Sequence, residues 1–223
     1  MKLLSIQVGQ PRSYGTRGAD DPMERPFRTS FRKEAVGGSV FVHHTHVEGD
    51  KVSNTRVHGG PEMAVLAYAT EHYERWRQEL SLEDMGPGGF AENLSVQGMS
   101  EDSVCIGDIY DLGPCRLQVS LPRLPCPNIS RFWKIKGLHL QVKATGRTGW
   151  YLRVLREGSI HAGLPFELVE RPCPTWTISS TNRVWHGEGS EEEVASLAAC
   201  AHLTLHWRDQ LQARLQRAQA RRS

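Results

Sequence analysis

The sequence predicts a mainly β fold of the α+β class, in which a β-barrel-like domain is followed by a small C-terminal three-helix appendage. The barrel is indicated by about eight short apolar or alternating segments that glycine and proline turns separate. Beyond residue 170 the apolar residues recur every three to four positions, which is typical of helices. We therefore predict a barrel domain over residues 1–170 and a helical domain over residues 171–223.

Composition excludes several classes of protein. The net charge of +2 gives no signature of binding to a nucleic-acid polymer. No apolar run approaches the roughly 18 residues of a membrane span, and the N-terminus lacks the apolar core of a secretory signal. The five cysteines are odd in number and include no C-x-x-C pair, which favours a reducing compartment. We expect a cytoplasmic protein.

The first half is predicted to hold strands joined by long loops. In order, its elements are a strand over 3–8, a surface loop with a short hairpin over 9–34, a turn at 37–38 followed by a strand over 40–42, and a buried strand over 63–69. A helix then follows, with Thr70 as its cap. Tyr73, Trp76 and Leu80 lie on one face of that helix, and we assign this face to the core.

The second half of the barrel is predicted to be richer in paired strands. In order, its elements are a strand at 94–96, a hairpin of 104–110 with 115–119, a short helix or ordered loop over 129–140, a strand over 145–155 and two strands over 160–164 and 166–170. Cys105 and Cys115 fall within the hairpin, and we assign both to inert packing.

The helical domain is predicted to contain one helix over 175–186, a second over 190–200 and a third beyond. Ser190 caps the second. Because the apolar stripe is narrow and segregated in sequence, we expect a chain ending near Val169 to stay folded. Four arginines crowd the last turns: Arg214, Arg217, Arg221 and Arg222. They form either a solvated helix end or a docking surface for an acidic partner.

The residue with the clearest chemical role is Cys126. It follows an alternating strand over 116–120, and Pro125 and Pro127 hold it in an extended loop. Arg123 would lower the pKa of the thiol if it lies within reach, and the thiolate is the form that binds soft metals. The alternative is that Cys126 is a small buried hydrophobic residue.

The histidines allow a zinc site to be considered. His43, His44 and His46 precede His58, and on a strand His44 and His46 would share a face. No H-x-x-x-H, H-E-x-x-H or cysteine-paired spacing is present, so we favour exposed or cofactor-side histidines over zinc.

Two further segments are candidates for ligand contact. Gly59 and Gly60 follow His58 and would allow a ligand to approach bare backbone, although a tight turn explains them as well. Glu92 and Asn93 place a carboxylate beside an amide, a pair that can bind the edge of a heterocycle or can simply be solvated.

Five segments in order resemble the MOSC domain, which is found at the C-terminus of molybdenum-cofactor sulfurases. They are Val57–Glu62, Gly89–Leu94, Gly107–Ile109, Gln118–Cys126 and Gly146–Trp150. Their order and the three-helix tail resemble the YiiM-type branch, the 6-N-hydroxylaminopurine-resistance proteins. The resemblance covers roughly residues 40–223.

The resemblance implies a β-barrel-like fold that binds the molybdenum cofactor (molybdopterin), with Cys126 as the catalytic residue and the thiolate ligand of molybdenum. The cofactor-binding residues that it implies are Arg56, His58, Gly59, Gly60, Glu92, Asn93, Arg123 and Arg147. The chain departs from the family at two positions where members tend to have lysine. Arg56 keeps the charge with another geometry, and Asn128 loses it.

The activity that the resemblance implies is a molybdenum-dependent oxidoreductase that reduces N-hydroxylated compounds such as 6-N-hydroxylaminopurine. The chain has no flavin, haem or iron–sulfur motif, so a flavin- or iron–sulfur-containing protein would have to donate the electrons. Trp133 and Trp150 are candidates for stacking on a purine. A sulfur carrier with a persulfide on Cys126 and a non-catalytic cofactor-binding module are alternatives, and a homodimer is left open.

Overall fold

The structure, a computed structural model, describes residues 1–221. Within that range the strands are β1 Lys2–Val8, β2 Arg12–Tyr14, β3 Phe27–Thr29, β4 Glu34–Ala35, β5 Val40–His43, β6 His46–Val47, β7 Val65–Ala69, β8 Leu94–Gln97, β9 Ile109–Leu112, β10 Cys115–Pro122, β11 Trp150–Arg156, β12 Gly158–Ile160 and β13 Glu167–Glu170. The helices are α1 Glu71–Leu80, α2 Asn128–Trp133, α3 Leu138–Thr145, α4 Ile178–Trp185, α5 Glu191–Ala198 and α6 Leu205–Ala220.

Eight of the strands form one curled half-barrel sheet, in the order β13-β9-β10-β11-β7-β8-β1-β4. All neighbours in it are antiparallel except β7 and β8, which are parallel because α1 crosses over between them. Smaller sheets of three and two strands are formed by β12-β5-β6 and by β2-β3. The mainly β fold with C-terminal helices is therefore confirmed.

The centre of the sheet is buried on both faces. All five residues of β7 are buried, as the apolar sequence of this strand predicts. A second apolar cluster lies beside α1. In it, Trp76 of α1 packs with Phe90, and Tyr68 of β7 stacks on the same ring at a centroid distance of 4.6 Å. This second cluster also holds Ile129 of α2 and so anchors the helix that follows Cys126.

The C-terminal helices share the main core of the sheet. Ile178 and Leu197 are fully buried in the same apolar cluster as Leu117 of β10. Backbone hydrogen bonds join Ile106 to Trp176 and Ile178 to Val104 at 2.8 and 2.9 Å. The apolar faces of these helices therefore cover the sheet itself, which argues against the expectation that the barrel does not need them for its core.

Several predicted boundaries change in the structure. The hairpin pairs Ile109–Leu112 with β10, and residues 104–108 form a loop before it. The region after Cys126 holds two helices, α2 and α3, and the strand predicted over 160–164 lies at Gly158–Ile160. Pro172 and Pro174 then lead into the helices.

The two predicted helix caps have different outcomes. Thr70 is the N-cap residue of α1, as predicted, but its hydroxyl makes no capping bond and donates to the carbonyl of Val96 at 3.0 Å. Ser190 does cap α5, in a capping box with Glu193. Near the C-terminus, Arg214 Nη1 donates to the carbonyl of Val184 at 2.8 Å, whereas Arg222 lies outside the described residues.

No helix among residues 1–221 is both long enough and apolar enough to cross a membrane.

Candidate functional site

A cavity of about 750 Å³ lies between the loop after β10, the loop over residues 50–60 and strand β3. It is lined by six of the residues that the sequence predicts for the site: His58, Gly59, Gly60, Asn93, Arg123 and Cys126. These residues come from three segments that are far apart in sequence. The fold thus brings most of the predicted site together in one place.

The Cys126 loop is held at both ends. Before it, the backbone N–H of Arg123 donates to the carbonyl of Gly149 at 3.0 Å. After it, the N–H of Ile129 donates to the Cys126 carbonyl at 3.1 Å as α2 begins. The flanking prolines donate no backbone hydrogen bond. Cys126 is a free, half-buried thiol at the cavity wall, so a ligand in the cavity can reach its sulfur.

Arg123 is the deepest cation of the site. Only 5% of the residue is exposed. Within the described part of the chain, its Nη1 is buried without a hydrogen-bond partner. An unpaired buried donor is costly, so this atom requires an acceptor that the protein itself does not supply.

The charge of Arg123 acts on two neighbours in the cavity. Burial, and then the nearby guanidinium, lower the pKa of His58. The imidazole is therefore held neutral at neutral pH. Burial raises the pKa of Tyr151, so its phenol keeps its proton and remains a hydrogen-bond donor.

Gly59 and Gly60 bend the chain at the cavity wall. Both have left-handed backbone, with φ of 79° and 78°, and a 3-10 helix over Pro61–Met63 follows them. A Cβ on Gly60 would meet nothing within 4 Å, so the backbone there is open to a ligand.

The turn that contains these glycines is fixed from behind through Glu62. Ser120 Oγ donates to the Glu62 carbonyl at 2.6 Å, and Arg153 Nη2 donates to the Glu62 carboxylate at the same distance. The position of the glycine backbone is thus set by the side chains of β10 and β11.

Asn93 lines the cavity, but its side chain is used for structure. Its Oδ1 accepts from the backbone N–H of Leu66 at 3.1 Å, and its Nδ2 donates to Asp50 Oδ2 at 2.9 Å. Asp50 in turn forms an ion pair with Lys33 at 2.5 Å. Asn93 therefore links the sheet to a buried ion pair in the cavity wall.

Glu92 does not line the cavity, contrary to the prediction that placed it towards the pterin. Its carboxylate is fully buried and accepts from Tyr73 Oη, from Ser95 Oγ and from the backbone N–H of Gly88 and Phe90. With four donors on two oxygens, Glu92 stabilises the turn before β8 and leaves no free group for a ligand.

Arg147 also lies away from the cavity. Its guanidinium stacks on Trp76 at 3.7 Å and pairs with Glu79 at 2.7 Å, so it stabilises α1 and does not contact the site. Arg56 is exposed on the loop at the edge of the cavity and is not part of the lining. Its predicted role stays a prediction.

The two tryptophans predicted to stack on a purine do not line the cavity. Trp133 Nε1 donates to the Gly89 carbonyl at 2.7 Å, and Trp150 is fully buried in β11. Trp150 is a core residue and Trp133 is partly buried against the second apolar cluster, which corrects the prediction.

The histidines do not converge. His43 and His46 stack on each other across β5 and β6 at 4.7 Å, and the ring of His44 lies against the Val154 carbonyl. Within residues 1–221, no group of three or more histidine, cysteine or acidic side chains could hold a metal ion.

Sequence reasoning missed several residues of the cavity. The missed charged and aromatic ones are Arg28, Phe31, Lys33, Asp50, Lys51, Arg131 and Tyr151. They carry no motif, and most lie in the segment of short strands and loops over residues 9–54, whose path depends on tertiary packing. Arg131 alone had a local signal, because it lies five residues after Cys126 in a predicted helix.

Comparison with known proteins identifies the family. The MOSC domain matches residues 54–167, which is just over half of the chain. The chain belongs to the MOSC domain family. A second match, to the YiiM-like 3-alpha helix domain, covers residues 176–218 and coincides with α4 to α6.

Relatives of this MOSC protein span nearly its whole length. It is 31% identical over 213 residues to the protein YiiM of Escherichia coli, covering 95% of this chain and 91% of that protein. The crystal structure of YiiM from Geobacillus stearothermophilus superposes with a TM-score of 0.79 at 31% identity, over 96% of this chain and 98% of the other. The relation to the YiiM-type branch is thus confirmed.

A third relative carries the name of an activity. The chain is 40% identical over 207 residues to a protein named reductase from Gibberella moniliformis. The match covers 91% of this chain but only 35% of that protein. The chain thus matches about a third of the length of the fungal protein.

Proposed function

We propose that this MOSC protein is a molybdenum-cofactor-dependent reductase of N-hydroxylated compounds such as 6-N-hydroxylaminopurine. The observation that carries the proposal is that Cys126 and Arg123 line the same cavity, where Arg123 Nη1 is buried without a hydrogen-bond partner among the described residues. The family is associated with the molybdenum cofactor, and a relative named reductase supports the reaction type.

The cavity fits the cofactor in three respects. Cys126 would bind molybdenum, because a thiolate is a suitable ligand for a soft, redox-active metal. Arg123 would bind the phosphate of the cofactor, which supplies the acceptor that its Nη1 lacks. The open backbone at Gly60 allows a planar group to approach closely.

The other residues of the cavity would order the cofactor and handle protons. When bound, the cofactor supplies the two-electron redox chemistry. Overall, R–NHOH with two electrons and two protons gives R–NH2 and water. Neutral His58 can accept a hydrogen bond at one ring nitrogen and donate at the other. Tyr151 Oη keeps its proton and can donate towards the leaving hydroxyl.

The source of the electrons is the next part of the proposal. The sequence contains no flavin, haem or iron–sulfur motif. We therefore propose a flavin- or iron–sulfur-containing donor, which in a test can be replaced by a strong chemical reductant.

The test combines metal analysis with turnover. Protein purified from cells that make the cofactor should contain molybdenum and, with reductant, should convert 6-N-hydroxylaminopurine to adenine. Cys126→Ser should lose the metal and the activity but keep its fold. Cys115→Ser is the matched control, because Cys115 is fully buried in β10, outside the cavity, and should keep both.

Two other outcomes would replace the proposal. A sulfane sulfur on Cys126, detected by cyanolysis in a protein that contains no molybdenum, would make the protein a sulfur carrier. Molybdenum without turnover of any N-hydroxylated compound would make it a non-catalytic cofactor-binding module.

A further inference from the structure

The cavity carries far more positive charge than the rest of the chain. Its lining contains five cations, Arg28, Lys33, Lys51, Arg123 and Arg131, and one carboxylate, Asp50. With the histidines neutral, this is a net charge of +4, whereas the whole chain carries only +2. The excess is therefore concentrated at the site.

Only one of these cations is neutralised by the protein. Lys33 pairs with Asp50 at 2.5 Å, and both side chains are 6% exposed. The other four form no salt bridge with a carboxylate anywhere in residues 1–221. A cluster of unpaired cations around a concave surface attracts and binds anions.

The four unpaired cations lie at two depths. Arg123 is buried and acts on His58 and Tyr151, next to Cys126. Arg28 and Lys51 are exposed at the mouth of the cavity.

Contacts join the segments of the chain that carry the outer cations. The guanidinium of Arg131 lies 4.0 Å from the ring centroid of Phe27, the residue before Arg28. Ser53 Oγ approaches the Arg28 carbonyl at 3.5 Å and so brings the loop that carries Lys51 alongside β3. Arg131 is fixed further by hydrogen bonds from its guanidinium to the carbonyls of Met23 and Arg25. The segments that carry the three outer cations are therefore packed against one another.

We propose that Arg28, Lys51 and Arg131 form a second phosphate subsite, which binds the phosphate of an N-hydroxylated nucleotide substrate. This inference rests on the proposed function, in which Arg123 already binds the phosphate of the cofactor. One phosphate at Arg123 leaves three cations at the mouth without a counterion. A substrate whose N–OH group points to Cys126 would place its ribose phosphate towards the mouth.

The same chemistry has a second source, because a dinucleotide form of the cofactor would also bring a second phosphate. The form of the cofactor is therefore identified first, by extracting it and separating any nucleotide by chromatography. A cofactor that carries no attached nucleotide supports the substrate assignment. A cofactor in its dinucleotide form, whose second phosphate fills the subsite, overturns it.

Binding is then measured by calorimetry on the cofactor-loaded protein, with adenosine 5′-monophosphate and adenosine as probes. We expect the monophosphate to bind at least about tenfold more tightly, since charged hydrogen bonds to phosphate are strong. Arg28→Ser should weaken the binding of the monophosphate about tenfold and leave the binding of adenosine unchanged. Arg17→Ser is the control, because Arg17 is also exposed but lies outside the cavity, and it should change neither affinity.

Turnover gives a second readout. In Arg28→Ser, the ratio of kcat/KM for the N-hydroxylated nucleotide to that for the free base should fall about tenfold, through KM. Equal affinities for monophosphate and adenosine, or the same ratio in Arg28→Ser and Arg17→Ser, would overturn the subsite. Failure to reduce either the N-hydroxylated nucleotide or the free base would instead overturn the proposed function. The binding measurements would still decide whether the phosphate subsite exists.

Discussion

Lys33 Nζ lies 2.5 Å from Asp50 Oδ1 in the wall of the cavity, and both side chains are 6% exposed. The Lys33 ammonium contacts both oxygens of the carboxylate. Asp50 also accepts from the backbone N–H of Gly9 at 2.8 Å and from Asn93. This ion pair therefore joins three segments that enclose the site.

Removing the cation should destabilise the protein strongly. In Lys33→Met the carboxylate of Asp50 would stay buried without its partner, and we expect the free energy of unfolding to fall by about 3–5 kcal/mol. Denaturant unfolding measures this. Lys136→Met, which changes an exposed lysine on the turn after α2, should stay within about 0.5 kcal/mol. A similarly small effect at both positions would show that the pair contributes little.

The stability of the cofactor-free protein should depend on pH through His58. Because burial and Arg123 lower its pKa in the folded state, the unfolded state takes up a proton first as the pH falls through 6.5. Stability is therefore lost below pH 6.5 and is unaffected by this group above it. Unfolding curves between pH 5 and pH 8 should show that His58→Gln weakens this loss, whereas His161→Gln, at an exposed histidine, should not.

Cys126 should be the thiol that alkylates fastest. It is half-buried at the cavity wall, whereas burial raises the pKa of Cys115 and, together with a hydrogen bond to Cys200, that of Cys173 to about 12. Thiols react as thiolates, so Cys115 and Cys173 react slowly at neutral pH because their pKa values are raised. Mass spectrometry of the cofactor-free protein after brief iodoacetamide treatment should find one label, absent from Cys126→Ser. Equally rapid labelling of a second cysteine would contradict the structure.

The C-terminal helices should be required for folding. Ile178 is fully buried in the core that the helices share with the sheet, so Ile178→Ala should lose about 2–5 kcal/mol of unfolding free energy. Leu205→Ala, at a residue that is 66% exposed, should lose almost none. The melting transition should stay single in both variants. Two separate transitions, with Ile178→Ala affecting only one, would restore the idea of a satellite unit.

A chain that ends near Val169 should accordingly fail to fold. It would expose the sheet residues that Trp176, Ile178 and Leu197 cover in the full chain. We expect such a protein to be insoluble or to melt without cooperativity. A soluble product with a cooperative transition would show that the sheet core is sufficient by itself.

The sequence by itself determined the local elements and the chemistry of the Cys126 loop. The apolar segment of β7, the capping box at Ser190 and the prolines around Cys126 act through the residues next to them, so they could be predicted without a fold. The site residues within that loop and within the His58–Gly60 turn were predicted for the same reason.

Only the tertiary structure decided which polar residues face the cavity. Glu92 and Asn93 are neighbours in sequence, yet the Glu92 carboxylate accepts from four donors and Asn93 lies in the cavity wall. Their donors and acceptors come from distant segments, so the tertiary packing decides which side chain faces the cavity. The guanidinium of Arg147 stacks on Trp76 and pairs with Glu79, which are about 70 residues away in sequence. Lys33 and Asp50 reach the site only because their loops pack against the sheet, and such long-range contacts leave no local pattern.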